Sequence, residues 1–313
     1  MDSLILAASV VTPLLLQMMV GVFVRKAGIL DEEQVKGLNK LIFNIFLPIL
    51  MFTNVYKTDL STYLDKRLIT YVCLFTLTLF VISFLLVPLI ERDNSRRGSV
   101  IQGIVRGNGA YFGIPVTVTI IGERFTGLMA LVVAFVAIIY NITSVVVFEA
   151  FRKGKLSIRK MIGGIMTNPM IIGTLLGMIC VYLELRLPTL LVDTLFSMSK
   201  VTTPLALVTL GAGFSYSSVA KYKKELASVV ALKLFIIPLV AVLLAVKLGF
   251  RYYEICCIFS LFTAPTAVAS YAVAQQMGGD HRLAGNIVVF TSLGSVISIF
   301  IWILAFGGII TYH

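Results

Sequence analysis

The chain has 313 residues, of which 58% are hydrophobic and 13% charged, and it carries a net charge of +11. Ordinary globular proteins hold about 45–50% apolar and about 25% charged residues, so here too few charges remain to cover a soluble surface. These values exclude a soluble domain, a disordered chain, a coiled coil and a disulfide scaffold, and they predict an all-α membrane protein that crosses the bilayer many times.

Charges punctuate the sequence, and the apolar stretches between them predict ten spans. Helix 1 is expected over 3–24, helix 2 over 41–56 with a start near Leu38, and helix 3 over 68–90. Helix 4 covers 107–122, lengthened from near Ser99 so that it carries Arg106, and helices 5 and 6 cover 125–148 and 161–183. Helices 7 to 10 follow over 201–220, 226–246, 255–279 and 283–313. Most of these reach the roughly 18 apolar residues that a bilayer-crossing helix needs. Helix 1 opens on Asp2 rather than on basic residues and has no small-x-small site before Arg25-Lys26, so it reads as a span and not as a cleaved signal peptide.

The connections orient the bundle. Counted from the N-terminus, the odd connections hold sixteen Lys and Arg residues and the even ones seven. Positive charge marks the cytoplasmic side, which puts both termini outside, in a plasma membrane. The basic excess is then a topology signal and calls for no nucleic acid.

The fifth connection, near residue 156, halves the chain, and the prolines repeat across it. Pro48 and Pro204 fall in helices 2 and 7, Pro115 and Pro265 in helices 4 and 9. Gly113-Ile114-Pro115-Val116-Thr117 answers to Ala264-Pro265-Thr266-Ala267-Val268. Five helices per half is an odd number, so the second half must sit upside down. The expected architecture is two inverted five-helix repeats, 1–155 and 156–313, with proline-broken helices 4 and 9 crossing at the midplane. Such repeats with interrupted helices point to a secondary transporter.

A proline removes an amide donor and frees a carbonyl a turn earlier, which hydrocarbon tolerates only beside a cavity or inside protein. Breaks at Pro115 and Pro265 would leave the amides of Val116, Thr117 and Val118, and of Thr266, Ala267 and Val268, at the starts of two half-helices. Helix N-termini attract anions. Polar side chains gather near these breaks: Asn108 and Tyr111 at the first, Thr263, Thr266 and Ser270 at the second. Helices 2 and 7 add Asn44, Thr202 and Thr203, and helix 5 adds Asn141. Each of these equally suits a plain interhelical hydrogen bond; together they form the candidate anion site.

No acid is expected near the middle of a span, since Glu123, Glu149, Glu184, Glu225 and Glu254 all fall at ends. A buried carboxylate relay for protons is therefore disfavoured. Lys233 is the charge inside helix 8, near enough to its start for the ammonium to snorkel to the interface. Cys73, Cys180, Cys256 and Cys257, with only His281 and His313 beside them, offer no metal-ligand spacing and no catalytic triad. No metal, no cofactor and no enzyme activity are expected.

Three stretches resemble the auxin efflux carrier family: Asn39–Tyr56 (NKLIFNIFLPILMFTNVY), Gln102–Glu123 (QGIVRGNGAYFGIPVTVTIIGE) and Ala264–Asp280 (APTAVASYAVAQQMGGD). That family includes plant auxin exporters and prokaryotic members described as malate or malonate permeases. The resemblance covers essentially the whole chain, and its most specific piece is Asn-Gly-x-x-x-Gly-Ile-Pro, ending at Pro115. It implies the fold shared with bile-acid symporters and sodium–proton antiporters, with crossover helices at the fourth and ninth positions. It also implies that Asn108 and the Pro115 and Pro265 crossovers carry the substrate carboxylate, with helices 2 and 7 lining the pocket. The long cytoplasmic loop of many plant exporters is absent, which favours a compact, prokaryote-like member or a short plant type.

The expected function is a secondary carrier of small organic anions, auxin-like or malate-like, working by alternating access. Helices 3–5 and 8–10 would form a transport domain moving against a scaffold of helices 1, 2, 6 and 7. Uniport driven by the membrane potential is the leading mode. A sodium-coupled symporter using Thr117, Thr263 and Ser270 as ligands, proton coupling, and a channel or ligand sensor of the same fold are the alternatives. The expected partners are the substrate anion, the lipid bilayer and a second copy of the chain in a homodimer.

Overall fold

A computed structural model of the chain describes residues 2–56, 65–152, 158–214 and 216–311. The connection cations Lys57, Lys153 and Lys155 lie outside the described residues. Apolar runs fold as helices because a helix satisfies its own backbone hydrogen bonds, which hydrocarbon cannot do. The first, α1 (Asp2–Lys26), runs through Pro13 without interruption. Next comes α2 (Glu32–Leu41), opened by a capping box in which Asp31 accepts from the Gln34 amide and Gln34 accepts from the Asp31 amide. A π turn over Ile42–Phe46 carries it into α3 (Leu47–Tyr56). Asp65 caps α4 (Lys66–Ile90), and Asp93 caps α5 (Asn94–Val105). After an interruption, a π turn over Gly109–Gly113 leads into α6 (Ile114–Ile121), and a 3-10 turn over Glu123–Phe125 into α7 (Thr126–Ala150).

The second half is built similarly. Helices α8 (Ile158–Met166) and α9 (Pro169–Tyr182) are separated at Asn168, whose side chain caps the Met170 amide. A long helix, α10 (Thr189–Ala212), holds Pro204 inside it. Beyond α11 (Tyr216–Lys221), α12 (Lys223–Ala231) passes through a π turn over Leu232–Ile236 into α13 (Ile237–Lys247). Then α14 (Tyr252–Phe262), α15 (Ala269–Gln276) and α16 (His281–Thr311) complete the chain. Among the described residues the architecture is all-α, with a single isolated bridge in place of any strand.

Among the described residues, six segments are long and apolar enough to cross a bilayer: Glu32–Tyr56, Lys66–Ile90, Glu123–Ala150, Thr189–Ala212, Lys223–Lys247 and His281–Trp302. Shorter apolar helices cover Gly109–Ile121, Pro169–Tyr182 and Tyr252–Phe262. Helix 7 differs from its expected range. It begins at Thr189 instead of 201 and takes in Asp193 and Lys200, both exposed. A charge on the exposed side of a helix does not end it, so the charge-free run underestimates the element.

Glycines let the helices touch where lipid offers no hydrophobic drive for packing. On α1 and α10, a Cβ at Gly21 would collide with the Val208 carbonyl, and one at Gly211 with that of Met18. On α9, a Cβ at Gly173 would collide with the Pro48 carbonyl of α3. Outward, large apolar side chains such as Met19, Leu74, Leu85, Ile179 and Leu243 are exposed, as a lipid-facing surface requires.

The connections gather at two ends. At one, Arg96 pairs with Glu225 at 2.9 Å, the Tyr222 hydroxyl donates to Asp280 at 2.8 Å, and the Ser99 hydroxyl donates to the Asp280 carbonyl at 2.9 Å. Burial and the neighbouring Asp280 push the Tyr222 hydroxyl up to about 12, so it stays a donor. At the other end Arg67 donates to the Gly249 carbonyl at 3.2 Å, Tyr253 stacks on Phe125 at 5.3 Å, and the Leu187 amide donates to the Tyr56 hydroxyl at 3.2 Å. The first group joins odd connections and the second joins even ones.

Candidate functional site

Two helices are interrupted deep in the bundle, and the interruptions touch. Helix α5 ends at Arg106, whose backbone is extended (φ −80°, ψ 109°), and helix resumes at Gly109. Helix α14 is capped by Thr263, and α15 starts at Ala269. The two extended pieces run antiparallel, Gly107 opposite Thr266. The Asn108 amide donates to the Pro265 carbonyl at 2.8 Å, and the Ala267 amide to the Arg106 carbonyl at 3.2 Å. Each break thus satisfies backbone groups that the other leaves open, as a low-dielectric interior demands.

The position of the first break corrects the proline reading. Pro115 lies in the first turn of α6, well past the break. The π turn over Gly109–Gly113 precedes it, and that wider turn accommodates a missing donor. The residue that the crossing selects is Gly107, where a Cβ would sit 3.3 Å from both the Leu261 carbonyl oxygen and the Lys233 Nζ. Pro265 does lie in the second break, where it offers its carbonyl to Asn108.

The predicted amide cradle shifts as well. Val116, Thr117 and Val118 are interior to α6, so their amides do not form a helix start. The Thr266 amide donates to the Thr291 hydroxyl at 3.1 Å, and that of Ala267 is spent on Arg106. The amides at helix starts, which lack a carbonyl one turn earlier, belong instead to Gly109, Ala110 and Tyr111 and to Val268 and Ala269.

These starts open on a cavity of about 160 Å³ bounded by α3, α7, α10 and the two breaks. Five predicted side chains line it: Asn108, Tyr111, Asn141, Thr202 and Thr203. Leu47, Leu50, Met51, Val133, Ala137, Ala206 and Leu261 supply its apolar wall, and Asn54 and Tyr140 further polar groups. Eight predicted residues are not in the lining. Asn44 is exposed and donates to the Lys40 carbonyl at 2.8 Å. Val116 packs with Phe112 and Phe259 in a separate apolar cluster, and Thr117 is buried on α6 beside Pro115. Thr263 donates its hydroxyl to the Phe259 carbonyl at 2.7 Å, and Thr266 donates its own to the Gly103 carbonyl at 2.8 Å. Pro265 faces the crossing, and Ser270 is buried on α15. Among the described residues no group of His, Cys, Asp and Glu suits a metal ion.

The sequence reading gave no role to Arg106, which lines the cavity and is 4% exposed. Its guanidinium donates to the Ser144 hydroxyl at 3.1 Å and to the Asn141 side-chain oxygen at 3.3 Å. Gln102 donates to the same Ser144 hydroxyl at 2.9 Å, and Asn141 in turn donates to the Thr174 hydroxyl at 3.3 Å. All these partners are neutral, and among the described residues Arg106 forms no ion pair. A signal existed: a lone arginine inside a predicted span, directly before Gly-Asn-Gly. Lys233 also departs from expectation. Its side chain is fully buried instead of reaching the interface, and its Nζ donates to the Val105 carbonyl at 3.4 Å.

The sequence model of the family described as "Membrane transport protein" matches residues 7–303. The chain belongs to this family. It is the auxin efflux carrier family that the motifs resemble. An uncharacterized transporter of Methanothermobacter thermautotrophicus is 25% identical over 294 residues, which are 93% of this chain and 96% of the relative. Another, of Methanocaldococcus jannaschii, is 24% identical over 300 residues, or 94% and 96% of the two chains. Among solved structures, the sodium proton antiporter MjNhaP1 of Methanocaldococcus jannaschii matches with a TM-score of 0.66, at 15% identity, over 98% of this chain and 95% of that one. At that identity the likeness is one of fold. This member of the membrane transport family is a multi-pass membrane transporter and not an enzyme.

Proposed function

We propose that this membrane transport protein is a secondary carrier of small organic anions, with a carboxylate of the substrate held at Arg106. The observation that carries the reading is a buried guanidinium in a cavity wall whose protein partners are all neutral. A lone buried charge is costly unless something pairs with it. Its planar fork matches a carboxylate with two parallel hydrogen bonds. The helix-start amides at Gly109–Tyr111 and Val268–Ala269 add partial positive charge to the same space. The wall of Leu47, Leu50, Val133 and Ala206 suits an apolar body behind the charged head. A water needs roughly 10–15 Å³ in this measure, so 160 Å³ suits a small acid and not a peptide or a lipid.

The packing supports ten spans in two inverted halves. Helices 1 and 7 meet through Gly21 and Gly211, and helices 2 and 6 meet through Gly173. Exchanging the halves turns the first pair into the second. The cavity sits where α3 and α10 face the crossing, the place at which a transport domain of helices 3–5 and 8–10 would slide on a scaffold of helices 1, 2, 6 and 7. Cation–proton exchange is the reading raised by the antiporter of like fold, but the charge in this cavity has the wrong sign for a cation site. Sodium-coupled symport is the runner-up, and sodium dependence of flux separates it from uniport.

The test is uptake into proteoliposomes under an imposed potential, with aliphatic mono- and dicarboxylates and indole acids set beside their neutral amides. Saturable uptake of an acid and not of its amide is expected. Equal uptake of acid and amide, or cation exchange without anion flux, would overturn the proposal.

A further inference from the structure

We propose that α15 is the gate of the carrier on the side of the odd connections, latched shut by Asn39 and Gln275, so that the cavity exchanges with the side of the even ones. The gate rests on the carrier reading, with its scaffold and transport helices. Three scaffold helices grip this one half-helix of the transport set. From helix 2, the fully buried side chain of Asn39 donates to the Gln275 side-chain oxygen. From helix 7, Gly213 lies so close that a Cβ there would be 2.1 Å from the Tyr271 hydroxyl. From helix 6, the Asn168 side-chain nitrogen stands 3.9 Å from the Met277 sulfur. Side-chain amides commonly bond helix to helix in hydrocarbon. Here they tie parts that must separate if one set of helices is to move against the other.

The grip lies beyond the cavity on each helix that supplies both. Helix 2 lines the cavity within 47–54, helix 7 within 202–206 and helix 9 within 267–269. Asn39 comes before the first stretch, by about 12 Å of helix at 1.5 Å per residue. Gly213 comes after the second, and Tyr271 and Gln275 after the third. Helix 2 leaves an odd connection while helices 7 and 9 run into odd ones, so all three displacements point to the same side. On the other side of the cavity Asn54 and Tyr111 are half-buried. The ties at the even end join helices of one set: Arg67 to Gly249 and Phe125 to Tyr253 within the transport set, Tyr56 to Leu187 within the scaffold. The latch is also easy to release. The Asn39 side-chain oxygen is buried with no hydrogen-bond partner among the described residues, so parting the pair gives up one bond and not a satisfied network.

Thiol labelling of the full-length protein tests the gate without a substrate. Ala137→Cys places a thiol in the cavity wall, and a membrane-impermeant maleimide is applied to one face at a time, with the parent protein giving the background from the native cysteines. The thiol is expected to react at least tenfold faster from the even face than from the odd one. Gln275→Ala should speed odd-face labelling at least fivefold. So should Gly213→Ala, whose methyl group displaces the Tyr271 hydroxyl and loosens the grip by a second route. Equal labelling from both faces, or odd-face labelling that neither substitution speeds in folded protein, would overturn the proposal. A second arm bridges Asn39→Cys to Gln275→Cys with a short bifunctional thiosulfonate and follows proteoliposome uptake of malate and indoleacetate. Bridging should cut uptake at least tenfold, with recovery in reductant; undiminished uptake by bridged protein would overturn the gate. If the unbridged protein carries neither acid, the organic-anion reading is what fails, and the labelling arm still decides the gate.

Discussion

The two helix interruptions have similar geometry and different chemistry. The first, at Arg106–Asn108, is short and turns its polar groups into the cavity: a guanidinium, an asparagine and the amides of a new helix start. The second, from Thr263 to Val268, uses its groups on the protein itself. Thr263 bonds back to Phe259, the Thr266 hydroxyl reaches Gly103, its amide reaches Thr291, and Pro265 and Ala267 pair with the first break. In the proposed reading the first break faces the substrate, and the second mainly braces that break while lending the Val268 and Ala269 amides to the cavity. A repeated backbone device thus yields two breaks without yielding two equivalent half-sites.

The largest expected effect separates these roles. Arg106→Met removes the charge from the binding break while keeping an unbranched, buried chain. Losing a charged hydrogen-bond pair costs roughly 1.5–3 kcal/mol, so uptake should fall about 10- to 100-fold. Melting should hold or rise, because an unpaired buried charge is replaced by an apolar group. A variant that fails to fold yet binds normally when rescued would reverse the assignment. Next in size is Asn141→Ala, which frees one arm of the guanidinium. Uptake measured against substrate concentration should show KM raised about tenfold with kcat little changed, the signature of lost uniform binding.

The bracing break should answer in the opposite currency. Thr266→Val keeps the shape and deletes the bond to Gly103. Leaving a buried carbonyl unsatisfied costs about 1–3 kcal/mol, read as a lower melting temperature. Uptake per folded molecule should stay within threefold. A tenfold loss of uptake at unchanged stability would place Thr266 in the binding surface and erase the contrast between the breaks.

How much of this was legible follows from what each feature depends on. All-α spans are written in composition, because hydrocarbon enforces them residue by residue. The existence of a break near each proline was also readable, and so was the clustering of Asn108, Tyr111, Asn141, Thr202 and Thr203. The position of the first break was not. A proline marks where a helix tolerates a missing donor, whereas the break falls where two backbones must approach, and Gly107 shows that only once Leu261 is beside it. Side-chain direction was equally hidden. Asn44 shares helix 2 with lining residues but faces outward. Lys233 reads as a snorkelling lysine by its distance along the helix, until the π turn and the crossing carbonyls account for its burial.

The smallest expected effect tests that lesson directly. Pro115→Ala restores an amide in the first turn of α6, where the backbone is already helical. In the continuous helix that resumes at Gly109 the π turn already accommodates the missing donor, and alanine accepts the native backbone angles, so the principal change is greater freedom of the unfolded chain, worth about 0.4–1 kcal/mol. Uptake should remain within twofold of the wild type and melting should fall slightly. If the break depended on proline, the new donor would let helix propagate backwards through Asn108, withdraw the Gly109–Tyr111 amides from the cavity and cost uptake about as much as losing Arg106. A near-silent Pro115→Ala beside a damaging Gly107→Ala would locate the hinge in the glycine, since a methyl group there must displace the Leu261 carbonyl or the Lys233 ammonium.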